Sequence, residues 1–393
     1  MIRVAMIVLH DMAWDRRVDR EARALAAAGY DVAVFCLEST DKPAVEKRGG
    51  YTIRRVATSA TAPWSKPLRK ARAFSRRERQ LLSAIVAYGP AVVHCHDLPT
   101  LRTGIRAGRQ TGARVVFDDH ELYPDSLMQR KFQRSFPVQR YWRSIEAKYV
   151  PQADAVITVS PGIARILRER HHVEPLVLLN VPEELLPPCT TSRLREELDI
   201  PEDVPVVLYQ GLLLEAGRSL RELVEAMTRV PRAILVVQGT GAGLQEMAAL
   251  VESSGLSDRV RFMGWVPTEE LYSYTCGATV GTVFLDGVEL SHQHSLPNRL
   301  FLYFMAGVPT VVSDLPDMAD LVDLERVGVK AAPRDPVAMA DAINWLIEHP
   351  DERRQMAERA RAISEMRYNW TIQSQGLLDL YVELTGARTP AIT

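Results

Sequence analysis

His94, His96 and Asp97 stand together in HCHDLPT, and Asp118, Asp119, His120 and Glu121 in FDDHELYPD. Imidazoles and carboxylates this close can give hydrogen bonds to sugar hydroxyls, move a proton or ligate a metal. No helical HxxxH pairing accompanies them, and no metal is expected. A structural role, with each imidazole satisfied by backbone, stays open. The second half of the chain carries a different chemistry. Glycines follow apolar runs in YQGLLLEAGRSL (209–220) and VVQGTGAGLQEM (236–247), and Pro297, Asn298 and Arg299 open the aromatic-rich run FLYFMAG. Helix starts offer free N–H groups to an anion, and cations such as Arg218 and Arg299 clamp one. Each turn alone also reads as an ordinary βα turn. The three together point to a nucleoside diphosphate.

These residues need elements to hold them. Apolar runs at 3–10, 31–37, 91–97, 113–120 and 153–160 read as strands, and 16–29 as a helix ending at Gly29. Near-continuous apolar strands alternating with helices imply a parallel sheet covered on both faces. A proline-rich stretch, 182–205, then interrupts the pattern, with the boundary expected between Pro182 and about Thr191. The alternation restarts with strands at 206–211, 233–239, 260–265, 279–285 and 309–314 and helices at 217–229, 243–254 and 298–306. Two doubly wound α/β domains in tandem follow, with ligands expected beyond the carboxyl ends of the strands and in a cleft between the domains.

The 393 residues suit two domains at roughly 100–200 residues each. Residues 1–180 hold 30 Lys+Arg against 18 Asp+Glu, and the remainder 18 against 31, so two near-cancelling halves hide in a net charge of −1. Opposite signs suit either different partners or two halves that face each other. The basic segments 64–80 and 129–148 suit an anionic acceptor, a peripheral membrane contact or a solvated helix face; nucleic acid is not expected. The start, MIRVAMIVLHD, reads as a buried strand rather than a signal peptide, and no run of about 20 apolar residues is present to span a bilayer. Cys36, Cys95, Cys189 and Cys276 are scattered without CxxC spacing, so neither zinc nor a disulfide framework is expected, and a cytoplasmic setting is. LHDMAWDRR lacks the G-x-G-x-x-G of a dinucleotide enzyme, and no GxxxxGK[ST] occurs.

Taken in order, WDRRVDREARALAAAGYDVAVFC, VVHCHDLPTL, VVFDDHELYPD, ADAVITVSPGIARIL, NVPEELLP, LYQGLLLEAGRSLRELVEAM, VQGTGAG, RVRFMGWVPTEELYSY, LPNRLFLYFMAGVPTVVSD and RYNWTIQSQGLLDLYVEL resemble the family 4 glycosyltransferases over essentially the whole chain. The resemblance implies a GT-B fold: two Rossmann-like domains facing across a cleft, 1–182 binding the acceptor and 192–370 the nucleotide sugar, with a C-terminal helix in 371–393 crossing back to the first. It implies a metal-independent sugar transfer with retention, from a nucleoside-diphosphate sugar to an unidentified acceptor, lipid-linked, glycan or natural product. A cytoplasmic enzyme, peripheral at the inner membrane face, is expected. His120 and Arg218 are implied as catalytic. Gly211, Arg218, Gly239, Gly241, His294, Pro297, Asn298, Arg299 and Leu302 are implied on the donor side, and Asp15, Arg16, His96, Asp97 and Glu121 on the acceptor side. One departure stands out. The family's pair of glutamates falls on His294 and Leu302, and a leucine accepts no ribose hydrogen bond, a loss of about 1.5–3 kcal/mol. Two other readings are a non-catalytic binding or scaffold protein and a sugar-nucleotide 2-epimerase.

Overall fold

A computed structural model describes the chain except residues 14, 40, 58–66, 127–135, 191, 214–216 and 387–393, and except the side chains of 67–75, 126 and 136. The chain divides into two compact units: residues 1–178 with 374–393, and residues 179–373.

The first unit is built on eight strands: β1 (Arg3–Ile7), β2 (Asp31–Leu37), β3 (Val45–Arg48), β4 (Tyr51–Val56), β5 (Val92–His96), β6 (Arg114–Asp119), β7 (Ala155–Thr158) and β8 (Leu176–Val177). They lie in the order β3-β4-β2-β1-β5-β6-β7-β8. All neighbours are parallel except β3 and β4, a hairpin closed by Gly49 and Gly50 with Arg48 opposite Tyr51. That edge departs from the all-parallel expectation, because VEKR alternates exposed and half-buried residues and needs cover on neither face. The central strands are buried almost throughout, as parallel strands flanked by helices must be. The order reverses beside β1, so β1, β5 and β6 open their carboxyl ends on one crevice.

The second unit has six parallel strands: β9 (Val206–Gln210), β10 (Ile234–Gln238), β11 (Val260–Gly264), β12 (Val280–Val283), β13 (Thr310–Ser313) and β14 (Gly328–Ala331). Their order, β11-β10-β9-β12-β13-β14, is the doubly wound arrangement, with its switch point between β9 and β12. Leu223, Val224 and Met227, which follow β9, and Met339, Ile343 and Leu346 of the helix Pro336–Glu348 belong to one core cluster with Val207, Leu235 and Val237. Five of six residues from Arg299 to Phe304 are buried, which is why that helix is so apolar.

The final helix, Trp370–Thr385, belongs to the first unit from Ser374 onward. Tyr381, fully buried there, meets Tyr30 edge to face and hydrogen-bonds His94 at 2.8 Å. The cysteines correct the expectation. Cys189 and Cys276, 87 residues apart, form a disulfide, while Cys36 and Cys95 are buried thiols. The pairing is long-range, joining the proline-rich stretch to the residue that ends the helix Leu271–Thr275, so local spacing gave no sign of it.

Candidate active site

In the second unit the loop after β9 and the helix after β12 meet at the switch point. Arg299, on the helix Asn298–Met305, donates through Nη1 to the carbonyl of Gln210 at 2.9 Å and lies 5.2 Å over the Tyr209 ring. Arg218 reaches the same place: a Cβ on Gly211 would lie 2.7 Å from Arg299 Nη1 and 3.3 Å from Arg218 Nη1. Gly211, at φ +149, leaves that space open. Gly239 and Gly241 act one layer away. A Cβ on Gly239 would stand 1.8 Å from the Gly211 carbonyl oxygen, and one on Gly241 2.2 Å from that of Leu213. They let two strand-end turns hydrogen-bond directly, Gly211 N–H to Gln238 and Leu213 N–H to Thr240.

The electrostatics are lopsided. Arg299 is buried, and its Nε and Nη2 have no partner among the described residues. Burial and the neighbouring Arg299 together lower the pKa of Arg218, a hydrogen bond with Tyr209 opposes them, and no carboxylate among the described residues pairs with it. Two desolvated guanidinium groups side by side are costly without an anion. Arg218 itself precedes its helix, which starts at Leu220 and not at 217 as expected. Pro297 caps the start of Asn298–Met305, leaving its first N–H groups open. Along this helix only Asn298 and Leu302 escape burial, and four residues apart they share a face. His294 is buried with Nδ1 3.4 Å from Asp317 Oδ2, and His292 lies 3.1 Å from Asp286.

In the first unit the predicted His96, Asp97 and His120 do converge, at the ends of β5 and β6. Asp118 lies at their centre. Its Oδ2 accepts from His120 Nε2 at 2.9 Å and His96 Nδ1 at 3.2 Å. Arg17 grips both of its oxygens at 2.9 and 2.8 Å. Asp97 Oδ1 faces His120 Nδ1 at 3.7 Å, from a backbone at φ 63, ψ 153 that non-glycine residues seldom adopt. Burial opposes a charged His120 ring, yet Asp97 and Asp118 outweigh it and raise its pKa to about 10. Burial opposes the Asp118 carboxylate too, and Arg17 and the imidazoles still hold it well below its usual range. Burial and the nearby His96 push His94 well below the usual histidine value. Burial, with Glu146 and Asp97 adding, pushes Asp119 well above the usual carboxyl value.

The acceptor-side residues divide. Asp15 caps the helix Arg16–Ala27 through the Val18 N–H at 3.0 Å and pairs with His10 at 2.9 Å. Arg16 is exposed at the first turn of that helix, and Glu121 is half-buried just past His120. Arg17, Glu21, Tyr209 and Tyr381 were not anticipated. Arg17 and Glu21 lie four apart in DRRVDRE, a spacing that marks one helix face, but nothing local reveals Asp118 as their partner. Glu21, His94, His96 and Asp118 bring ligand-type atoms within 4.8 Å of one another. The Arg17 guanidinium already lies on Asp118 and 3.1 Å from Glu21, so the cation these carboxylates meet is a side chain.

Residues 15–179 match the model of glycosyltransferase family 4, and residues 204–349 that of glycosyl transferases group 1. The chain belongs to the GT-B glycosyltransferases of the family 4 kind. Over 226 residues it is 30% identical to the D-inositol 3-phosphate glycosyltransferase of Xylanimonas cellulosilytica, covering 56% of this chain and 52% of that one. The matched part thus spans about half the length of this curated relative. In fold, the glycosyltransferase resembles sucrose-phosphate synthase from Thermosynechococcus elongatus, with TM-score 0.83 at 22% identity over 99% and 100% of the two chains. It also resembles Anabaena HepE in complex with UDP and glucose, with TM-score 0.75 at 14% identity over 98% and 100%.

Proposed function

We propose that this glycosyltransferase moves a sugar from a nucleoside-diphosphate sugar to an acceptor hydroxyl, with retention and without a metal. One observation carries the reading: two guanidinium groups, Arg218 and Arg299, converge over Gly211 with Arg299 buried and partly unpartnered. A diphosphate supplies the missing negative charge. As the bond from the anomeric carbon to the diphosphate oxygen breaks, charge grows on that oxygen, and the two arginines and the Asn298 and Arg299 N–H groups stabilise it. The acceptor oxygen bonds to the anomeric carbon on the same face, and its proton passes to the departing phosphate. HepE, similar in fold, has been solved with UDP and glucose, which supports a nucleotide-sugar donor.

His120, held as a cation between two carboxylates, is a hydrogen-bond donor rather than a base, suited to a sugar hydroxyl. His96, Asp97 and Glu121 are assigned to the acceptor, with Asp15 and Arg16 at the helix start beside them. His294 is assigned to the donor sugar and Leu302 to its ribose. The acceptor is proposed to be anionic or lipid-linked, met at the inner face of the membrane by basic residues. Much of segments 64–80 and 129–148 lies outside the described residues, and no described helix is long and apolar enough to cross a membrane. Flotation with anionic vesicles tests that contact, and its absence would remove it.

The donor is tested by thermal stabilisation with UDP, GDP and dTDP, since a ligand of the native state alone raises the melting temperature. At least one nucleotide is expected to stabilise the protein, and Arg299→Met to weaken it about ten- to a hundredfold. No stabilisation by any at millimolar concentration would favour a scaffold protein instead. Epimerised sugar nucleotide formed without acceptor would favour the epimerase.

A further inference from the structure

Arg17 lies beside the histidine cluster rather than among the residues assigned to substrates, yet the cluster is organised around it. The side chain is 5% exposed and makes every bond with a directional fork: Nε and Nη2 to the two oxygens of Asp118, Nη1 to the carbonyl of Leu178 at 2.9 Å. The Leu178 carbonyl fixes the guanidinium at the far end, and the guanidinium fixes the plane of Asp118. Asp118 in turn offers Oδ2 to both His96 Nδ1 and His120 Nε2. Those two nitrogens stand 3.3 Å apart, and both are turned toward the same carboxylate oxygen. Beyond, His96 stacks on His94 at 4.4 Å, and His94 is tied to Tyr381. On the opposite edge of His120, Asp97 faces Nδ1.

We propose that Arg17 is a positioning residue for His120: its fork orients Asp118, and Asp118 locks the imidazole with Nε2–H inward and Nδ1–H toward Asp97. This rests on the reading of His120 as a sugar-hydroxyl donor. Bidentate geometry is what a guanidinium supplies and an ammonium does not. The charged and titratable groups facing His120 come from several elements: Asp15 and Arg17 with Glu21 from the first helix and its cap, His94, His96 and Asp97 from β5 and its end, and Asp118 and Asp119 from β6. Arg17 by its charge alone lowers the His120 pKa, because like charges repel. A charge effect alone therefore predicts no fall in the His120 midpoint when the fork is lost and the charge kept, whereas loss of orientation predicts one.

Arg17→Lys keeps the charge and loses the fork. The test is the imidazole NMR spectrum of selectively labelled full-length protein, with His120→Gln for assignment and amide spectra to verify the fold. A slowly exchanging Nε2–H proton of His120 is expected in the wild type. In Arg17→Lys it is lost or broadened, and the titration midpoint of His120 falls by about 1–3 units as its carboxylate partner swings away. An unchanged Nε2–H signal and an unchanged midpoint would overturn the proposal. Should the lysine variant fail to fold, Asp118→Asn, which keeps size and the acceptor for Arg17, is expected to lower the midpoint and switch the His120 tautomer. The wild-type signal surviving there would overturn it equally. Failure of the wild-type protein to bind UDP, GDP or dTDP would sink the functional reading while leaving the spectrum to judge Arg17.

Discussion

The two units each place charged side chains where their strand order reverses, and they treat them oppositely. In the first, cations face carboxylates: Arg17 lies on Asp118 and beside Glu21, and His120 lies between Asp118 and half-exposed Asp97. In the second, Arg218 and Arg299 converge with no carboxylate among the described residues to answer them. A closed network spends its interactions on geometry, so its residues are fixed before any ligand arrives. An open pair stores unbalanced charge, so it waits for an anion. The contrast separates positioning from binding without reference to any relative.

The sharpest way to break this contrast is to remove one arginine from each unit. Arg17→Met leaves Asp118 and Glu21 buried without their cation and is expected to destabilise the fold by about 3–5 kcal/mol. Arg299→Met removes a desolvated charge that lacks a counter-ion and is expected to leave stability within about 1 kcal/mol of the wild type, or to raise it. Urea unfolding of the two variants gives the answer. Equal losses would mean that Arg299 has a protein partner and that the second unit holds no open anion site.

The pH dependence of stability sharpens the same contrast. The folded pKa of His120, about 10, lies above the value of roughly 6.5 for an unfolded histidine. Its contribution is therefore fully present below pH 6.5 and is lost as pH rises through about 10. The stability gap between the wild type and His120→Gln is expected to be widest at pH 6 and to shrink steadily by pH 10. A gap that stays constant over that range would show that the carboxylates do not hold the ring charged.

Much of this was legible in the sequence, and the reason differs from residue to residue. The apolar runs of β1, β2, β9 and β10 announce themselves because parallel strands buried on both faces need continuous hydrophobic residues. Gly211, Arg218 and Arg299 were legible because strand-end glycines and helix-start cations are local signals. Arg17 was not, since its partner Asp118 lies 101 residues away and only the β1–β5–β6 order brings them together. Tyr381 stayed hidden likewise, 287 residues from His94. The Cys189–Cys276 bond ran against the expectation because cysteine spacing carries information only when ligands or half-cystines are close in sequence. The edge strand β3 escaped because VEKR has no apolar face to betray it.

Leu302 provides the gentlest test. It shares the open face of its helix with Asn298, one turn in from the N-terminus, while Arg299, Leu300, Phe301, Tyr303 and Phe304 turn into the core. A carboxylate there would project from the open face of the helix, near Arg299, where two guanidinium groups without a carboxylate partner among the described residues already bias the field. Leu302→Glu is therefore expected to fold normally and to tighten binding of the preferred nucleoside diphosphate by up to about tenfold, the worth of one net hydrogen bond to a ribose hydroxyl. The opposing effect is repulsion of the diphosphate by the added charge, which the two arginines screen. Calorimetry against the nucleoside diphosphate, with the corresponding 2′,3′-dideoxy diphosphate as control, separates the two: a ribose contact strengthens only the hydroxylated ligand, whereas repulsion weakens both. Weaker binding of both would mean that Leu302 faces the diphosphate itself, and the assignment of the ribose to this face would fall while the arginine pair kept its role.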